Sequence, residues 1–424
     1  MSTAVEALQS NEVYLPRMRQ RQGRTLSARQ INAIRWATHM LGWQKRRILM
    51  LGSLLRALEN DRSDLSLLLK LQLAILTSLR TTERNLQRNQ TQAFTLKQRL
   101  RTQRLPKEDA GEIKVLIREC RERVDHHRWL LTVWRAFGDG IAFLYLDKWA
   151  VKPLLYNLGN PDEKSPAGSI RGKLGLQNEI RILKVFLERG IPAVLNDITN
   201  CIRHGDICLL GGSDPFLVEV KSSKNTNTRT DRQIANIQSI HEYHRTDLAQ
   251  NVRGVPEIMR VALSRHEVHY QALLNKGIET ALTTKYCSFE PEAGMRLVVL
   301  ASGSKKVLDQ AFSGFRISTL QFWNEAKNEG HWGVYYPYVL SIRSLDNLYA
   351  FLSGQVYVTV AYDFEAIRKV AKRYSLALTT TDDQVWPIQL EWLGSAQPEL
   401  AYVRLSSHFL GRMAGPPHSV VIAV

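Results

Sequence analysis

The chain has 424 residues, of which 44% are hydrophobic and 23% charged, a composition that is ordinary for globular proteins and excludes wholesale disorder. This length can bury a sizeable core and favours two or three domains over one. Lys and Arg outnumber Asp and Glu by 57 to 40, which gives a net charge of +17. Such an excess suits a partner that carries dense negative charge, and it favours nucleic acid over a membrane surface.

The positive charge is concentrated in the N-terminal third of the chain. Residues 1–135 hold 26 Lys and Arg against 12 Asp and Glu. Four arginines lie within eight positions near the start, and we expect them to bind nucleic acid: Arg17, Arg19, Arg21 and Arg24. The N-terminal third is therefore predicted to supply much of the electrostatic affinity.

Targeting and redox features place the protein in the cytoplasm. The opening MSTAVEALQSNEV has neither a basic start nor an apolar run, so no secretory signal is expected. The most apolar stretch, LSLLLKLQLAIL, is too short to span a bilayer and contains Lys70, so it is predicted to be a buried helix. Four cysteines without a CxxC pair fit a reduced compartment, and Cys201, His204 and Cys208 have no evident fourth zinc ligand.

A basic all-α domain is predicted over residues 1–150. Apolar spacing indicates one helix after Ser27 and a second that starts at Ser63 or Asp64 and reaches about Arg104, before Pro106 breaks the chain. A third helix has an apolar seam with alternating spacings of four and three, formed by Ile113, Ile117, Cys120, Val124, His127, Leu131 and Trp134. This heptad pattern favours packing within the chain and leaves open a homodimer or a partner protein.

The pattern changes after a Gly-, Pro- and Ser-rich linker at residues 159–169. A helix at about 174–189, strands near 191–196, 205–211 and 216–221, and a helix near 231–249 follow in the order α-β-β-β-α. We assign this core to residues 165–255, with an extension to about 305 if later strands complete its sheet. Residues 256–424 are predicted to be an α+β region, with helices near 256–275, 305–312 and 343–353 and strands at RLVVLA, VYVTVAY and SVVIAV.

The chemistry is concentrated in the stretch HGDICLLGGSDPFLVEVK. Residues alternate faces in a strand, so Glu219 and Lys221 share one face of FLVEVK while the flanking valines enter the core. Asp206 begins the preceding apolar run, and GGSDP supplies the turn that would bring it near Glu219. Two carboxylates beside an amine suit Mg²⁺, which prefers oxygen ligands and completes its shell with water and substrate phosphate. Asp214 lies in that turn and is assigned a turn-forming role, while His204 is interpreted as structural.

These residues resemble the motif of the PD-(D/E)XK nuclease superfamily, in which an acidic residue on one strand precedes a (D/E)XK triplet on the next. The resemblance covers about residues 170–250, and His204-Gly205 stands where the family's name has a proline. It implies a restriction-endonuclease-like α-β-β-β-α core in which Asp206, Glu219 and Lys221 are catalytic. It also implies Mg²⁺ or Mn²⁺ as cofactor, with Asp206, Glu219 and the first-helix glutamate, here Glu179, as metal ligands.

The segment after the motif is polar and basic and leads into the last helix of the core. Some branches of the family use a glutamine and a tyrosine on this helix for substrate, to which Gln238 and Tyr243 correspond loosely because they are five residues apart. The predicted nucleic-acid-binding residues here are Lys224, Arg229, Arg232, Gln233 and Gln238. The resemblance implies DNA as substrate, and a restriction or anti-phage defence role would suit the architecture. The alternatives are a catalytically inactive nucleic-acid-binding or scaffold protein with this fold, and a helical partner-binding protein.

Overall fold

The structure is a computed structural model that describes residues 41–155, 158, 167–220, 228–252, 255–260, 270–301, 304–326, 336–380, 388–393 and 402–405. The described chain is mixed α/β, with a helical N-terminal region and several small antiparallel sheets. It divides into two compact units, one of Met50–Arg260 with Asn328–Val339, and one of Met1–Leu49, Val261–Lys327 and Leu340–Val424. None of the described helices is both long enough and apolar enough to cross a bilayer.

Helices dominate the first part of the described chain: α1 (Lys45–Asn60), α2 (Leu65–Thr102), α3 (Lys107–Tyr145) and the short α4 (Lys148–Val151). The predicted start of the second helix is confirmed, because the Asp64 carboxylate accepts a hydrogen bond of 2.8 Å from Leu67 N and caps an otherwise unpaired amide. Pro106 immediately precedes α3, where its missing N–H costs nothing. The predicted helix after Ser27 lies outside the described residues until position 41.

The apolar seam of α3 packs within the chain, against α2. Its residues are buried, except that Leu131 is half-buried. Trp134 at the inner end of the seam donates its Nε1–H to Thr82 Oγ1 of α2 at 2.9 Å, which fixes the register of the two helices. The interpretation of the seam as intramolecular packing is therefore confirmed.

Beyond the helices, the chain follows the predicted α-β-β-β-α order: α5 (Leu176–Glu188), β1 (Ala193–Leu195), β2 (Ile207–Leu209), β3 (Phe216–Val218) and α6 (Thr228–Thr246). The strands form an antiparallel sheet in the order β1-β2-β3, with Val194 opposite Cys208 and Cys208 opposite Leu217. Each strand is shorter than predicted. One cause is Gly205, whose φ of +70° interrupts the extended backbone just before Asp206.

The free edge of β1 is closed by a side chain of α2. Gln72 Nε2 donates to Ala193 O at 2.9 Å, and Leu195 N donates to Gln72 Oε1 at 3.0 Å. The buried amide therefore makes the two hydrogen bonds that a neighbouring strand would make. Through this contact α2 becomes part of the sheet's framework.

The helix predicted near 256–275 is wrong over its first residues. There β5 (Val255–Met259) pairs antiparallel with β4 (Leu248–Val252). Pro256 explains the difference, because proline has no backbone N–H and disfavours helical geometry in the residue before it. The helix of this region, α7, spans Gln271–Thr284.

The second unit contains a four-stranded antiparallel sheet in the order β6-β7-β9-β8, built from β6 (Tyr286–Glu292), β7 (Met295–Leu300), β8 (Thr319–Phe322) and β9 (Tyr357–Tyr362). The remaining elements are α8 (Lys305–Ala311), α9 (Trp323–Ala326), α10 (Tyr338–Ser341), α11 (Leu345–Ser353), α12 (Phe364–Arg373), β10 (Leu376–Thr380), β11 (Ile388–Trp392) and β12 (Tyr402–Leu405). The strands predicted at RLVVLA and VYVTVAY are confirmed, as are the helices near 305–312 and 343–353. SVVIAV lies outside the described residues.

Candidate active site

Three carboxylates from separate elements meet at one ammonium group. Lys173 Nζ lies 3.0 Å from the carboxylate of Glu179 on α5, 2.8 Å from Asp197 Oδ2 in the short 3-10 turn after β1, and 3.1 Å from Asp206 Oδ1 at the start of β2. We call these four residues the acidic cluster. Its net charge is −2 when all three carboxylates are ionised, so the cluster can still attract a further cation.

Asp206 is held rigidly against the strand that carries the second motif residue. Its backbone N–H donates to Val218 O at 2.9 Å, and its Oδ2 accepts from Val220 N at 2.9 Å. Ile207 pairs with Val218, so the register continued by one residue places Asp206 opposite Glu219. Gly205 is required beside it, because a Cβ there would lie 3.1 Å from Val218 O on a backbone with positive φ.

The segment that carries Lys173 is anchored by Glu83 of α2. The buried Glu83 carboxylate accepts hydrogen bonds from Ser169 Oγ at 2.8 Å, Ile170 N at 3.0 Å and Arg171 N at 2.9 Å. Arg171 also donates to Gln87 of the same helix. The helical region therefore sets the position of the loop that delivers the ammonium group.

Arg135 of α3 supports the other side of the cluster. Its Nε donates to Asp197 O and its Nη2 to Gly168 O, both at 3.1 Å. Burial lowers the pKa of Arg135 to about 10, so its guanidinium stays charged at neutral pH. One turn further on, Gly138 lets α3 approach the turn after β1, since a Cβ there would lie 2.0 Å from Ile198 O.

Burial and charge act in opposite directions on the groups of the cluster. Glu179 is only 2% exposed, and this burial raises the pKa of its carboxyl, as do Asp206 and Asp197, while Lys173 opposes the rise. Burial alone would lower the pKa of Lys173, but its three carboxylate partners outweigh that effect and raise it. The carboxylates therefore favour the charged form of the Lys173 ammonium, whereas burial and the neighbouring carboxylates disfavour the charged form of Glu179.

The donor chemistry of the cluster fits a hard divalent cation, whereas its spacing fits an ammonium group. Carboxylate oxygens are the ligands that Mg²⁺ prefers, at about 2.0–2.1 Å, and here they stand 2.8–3.1 Å from Lys173 Nζ. Among the described residues no group of three or more His, Cys, Asp or Glu side chains is arranged to hold a metal ion. An ion could use these carboxylates only if the ammonium left and the oxygens closed in by about 1 Å.

The structure brings together some of the predicted site residues. Glu179 and Asp206 meet in the cluster, and Glu219 is half-buried directly after β3. On α6, Arg232 and Gln238 are exposed and Gln233 is half-buried. The side chain of Arg229 and all of Lys221, Lys224, Arg17, Arg19, Arg21 and Arg24 lie outside the described residues.

Lys173 and Asp197 were missed by sequence reasoning. Asp197 directly follows the predicted first strand, so an acidic residue at a strand end was a usable signal; Lys173 sits in a loop and has no such marker. Asp214 does more than form a turn, because it pairs with Arg260, with Oδ2 3.0 Å from Nη2. His204 is buried, as the structural interpretation requires, and Cys201 and Cys208 are buried thiols.

Compared with protein-family models, with curated proteins and with solved structures, the chain matches none of them. Its function is therefore argued from the geometry of the acidic cluster and the charges around it.

Proposed function

We propose that the chain is a metal-dependent nuclease that hydrolyses phosphodiester bonds in DNA, with a core of the restriction-endonuclease-like type. The observation that carries the proposal is the convergence of Glu179, Asp197 and Asp206 at one end of the sheet in an α-β-β-β-α unit. Glu219 lies opposite Asp206 by strand register. Carboxylates from a helix and from the ends of strands, beside the ammonium of Lys173, support a nuclease motif with acidic residues on two neighbouring strands.

A bound Mg²⁺ or Mn²⁺ would lower the pKa of a water and neutralise charge on the scissile phosphate. Asp206 and Glu219 would hold the ion, with Glu179 and Asp197 beside them. Asp206 could do so without losing its position, since Val220 N holds Oδ2 and the other oxygen, Oδ1, pairs with Lys173, whose place the ion would take. Fixed carboxylates reduce the reorganisation that binding demands.

Lys221 follows Glu219 by two residues and is proposed to orient the attacking water or to stabilise the charge that develops on the phosphate. Lys173 is a second amine at the same site. If its carboxylate partners held an ion, its ammonium would be available to approach a phosphate oxygen. Lys221 and Lys173 are thus both candidates for stabilising the negative charge of the transition state.

The proposal is tested by cleavage of plasmid and single-stranded DNA with Mg²⁺ or Mn²⁺. Asp206→Ala and Glu219→Ala each delete an oxygen ligand, so cleavage and calorimetric metal affinity should both collapse. Lys221→Met should keep metal binding while cleavage falls by a factor on the order of 10² to 10³, the scale of losing one transition-state donor.

Glu188→Ala is the matched control, because Glu188 is an exposed carboxylate at the end of α5, the helix that carries Glu179. It should cleave and bind metal like the parent. A parent that binds no divalent metal, with Asp206→Ala and Glu219→Ala indistinguishable from it, would exclude the nuclease.

The second candidate is a catalytically inactive nucleic-acid-binding protein with the same fold. One observation favours it: Lys173 already neutralises part of the acidic cluster and sets its spacing. In that case the cluster is a structural ion-pair network. The metal titration separates the two, since an inactive protein of this kind keeps DNA binding without any metal requirement.

A further inference from the structure

Basic residues recur along α3 at intervals of seven. Five basic residues follow one another at this spacing: Lys107, Lys114, Arg121, Arg128 and Arg135. We call these five residues the basic stripe. Each of the last four directly follows a buried residue of the apolar seam, namely Ile113, Cys120, His127 and Trp134. Because the stripe and the seam share one period, the stripe stays beside the seam along the whole helix.

The stripe is open to solvent until it reaches the acidic cluster. Its first four members are exposed, whereas Arg135 is 5% exposed and donates to the carbonyl oxygens of Asp197 and Gly168. At about 1.5 Å per residue, Lys107 and Arg135 lie about 42 Å apart along the helix axis. The stripe is therefore a row of cations that runs from the α2–α3 turn to the carboxylates of the site.

The opposite charges of α3 lie elsewhere on its surface. With about 100° of rotation per residue, Glu112 and Glu119 fall on the far side of the seam, and Glu108 and Glu122 on the back of the helix. Asp125 is the exception, since it pairs with Arg128 at 3.0 Å, but both side chains are more than 60% exposed and such a pair is weak. Apart from Asp125, the exposed acidic residues of α3 thus lie on faces of the helix other than the stripe.

We propose that the basic stripe is the surface that binds the phosphate backbone of duplex DNA and leads it to the acidic cluster. A row of cations at regular intervals fits a long, regular polyanion, and about 42 Å corresponds to about 12 base pairs at 3.4 Å each. Lys and Arg contacts to phosphate fix register without reading sequence, so the stripe confers affinity and not base preference. The inference rests on the proposed function, which it extends by naming where the substrate lies.

The test replaces three exposed stripe residues in the full-length protein and compares them with three exposed arginines of α2 that lie off the stripe. The variants are Lys114→Gln/Arg121→Gln/Arg128→Gln and Arg84→Gln/Arg88→Gln/Arg99→Gln. Both remove three positive charges from the same hairpin, so any effect of net charge alone is equal. Binding of a 30-base-pair duplex is measured in EDTA over a range of salt concentrations, which keeps cleavage out of the readout.

The stripe variant should bind the duplex at least about 10-fold more weakly, and its log–log salt slope should be shallower by up to about 2.7, since each phosphate contact contributes about 0.9. The control should keep the parent's slope. Equal losses in both variants, no loss in the stripe variant, or a parent that prefers an acidic protein to duplex DNA would each overturn the inference. The binding assay contains no metal, so it does not depend on cleavage. If the stripe binds DNA and the protein never cleaves DNA in the separate cleavage assay, this inference holds and the proposed nuclease function is wrong.

Discussion

The three carboxylates of the acidic cluster share one ammonium group, that of Lys173, and this arrangement decides how the site meets a metal ion. A divalent cation and the ammonium would compete for the same oxygens. The cluster also depends on Lys173 for stability without metal, since Glu179 is buried and its pKa is raised by burial and by the neighbouring carboxylates. The competition between Lys173 and a metal ion, and the contribution of Lys173 to stability, can both be measured on one variant.

Lys173→Met keeps much of the stem's volume and removes the charge. We expect it to bind Mg²⁺ or Mn²⁺ at least about 10-fold more tightly than the parent in calorimetric titrations, because the competing cation is gone. Its melting temperature without metal should fall and should recover when metal is added. Lys184→Met is the control, since Lys184 is an exposed lysine of α5. Unchanged or weaker metal binding by Lys173→Met would show that the ammonium does not stand in the ion's place.

At the residue level, the sequence predicts motif positions better than it predicts their partners. Asp206 was placed beside Glu219 from the order of the strands, and Glu179 was added to the site from the resemblance to the nuclease motif. The role of Lys173 could not be predicted, because it depends on a loop whose course is set by Glu83, 86 residues before Ser169. Long-range hydrogen bonds of this kind leave no local pattern in the sequence.

At the scale of elements, periodicity predicted most helices and strands of the described chain. The helix–helix seam, the α-β-β-β-α order and the strands β7 and β9 follow from repeating apolar positions, which act locally. Pro256 argues locally against a helix at β5, but the strand itself was missed because its pairing with β4 is not visible in the apolar spacing. Pairing between strands is a tertiary effect and overrides weak helical propensity.

The packing of α3 creates a pH-dependent element. Burial, with a smaller contribution from His127, lowers the pKa of His126 to about 4. Between pH 6.5 and about 4 the unfolded chain binds a proton at His126 that the folded chain does not, so this histidine makes the folded state less stable as pH falls through that window.

We therefore expect His126→Gln to lose less stability on acidification than the parent. At pH 5 the titration of His126 should cost the parent about 2 kcal/mol relative to pH 8, at about 1.4 kcal/mol per pH unit below 6.5. Urea unfolding at both pH values gives the double difference, and the comparison at pH 8 removes any effect of the substitution itself. Equal losses in the two proteins would place the acid sensitivity elsewhere.

At the scale of the whole molecule, the helices and the three-stranded sheet share one set of buried polar contacts. Gln72 closes the edge of β1, Glu83 anchors the loop of Lys173, and Arg135 supports the turn of Asp197. Asp139, fully buried in α3, accepts hydrogen bonds from Asn200 N at 2.6 Å and Cys201 N at 2.9 Å. These contacts join residues 50–150 of the predicted helical domain to the predicted core at 165–255 within one of the two units.

A fragment of residues 165–255 should therefore fail to fold alone. Without α2 and α3, the backbone groups that meet Gln72, Glu83 and Asp139 lose their partners. Buried side chains of β1 and the turn after it are also opened to water, at about 1.5–3 kcal/mol each, and a few such losses approach the whole stability of a small domain. Circular dichroism during heating should show no cooperative transition for the fragment, whereas the full-length chain should show one. Supplying residues 41–155 as a separate chain should restore a transition if the interface is what is missing. A fragment that melts cooperatively on its own would mean that the sheet and α5 form an independent domain, and that the helices are attached to it without holding it together.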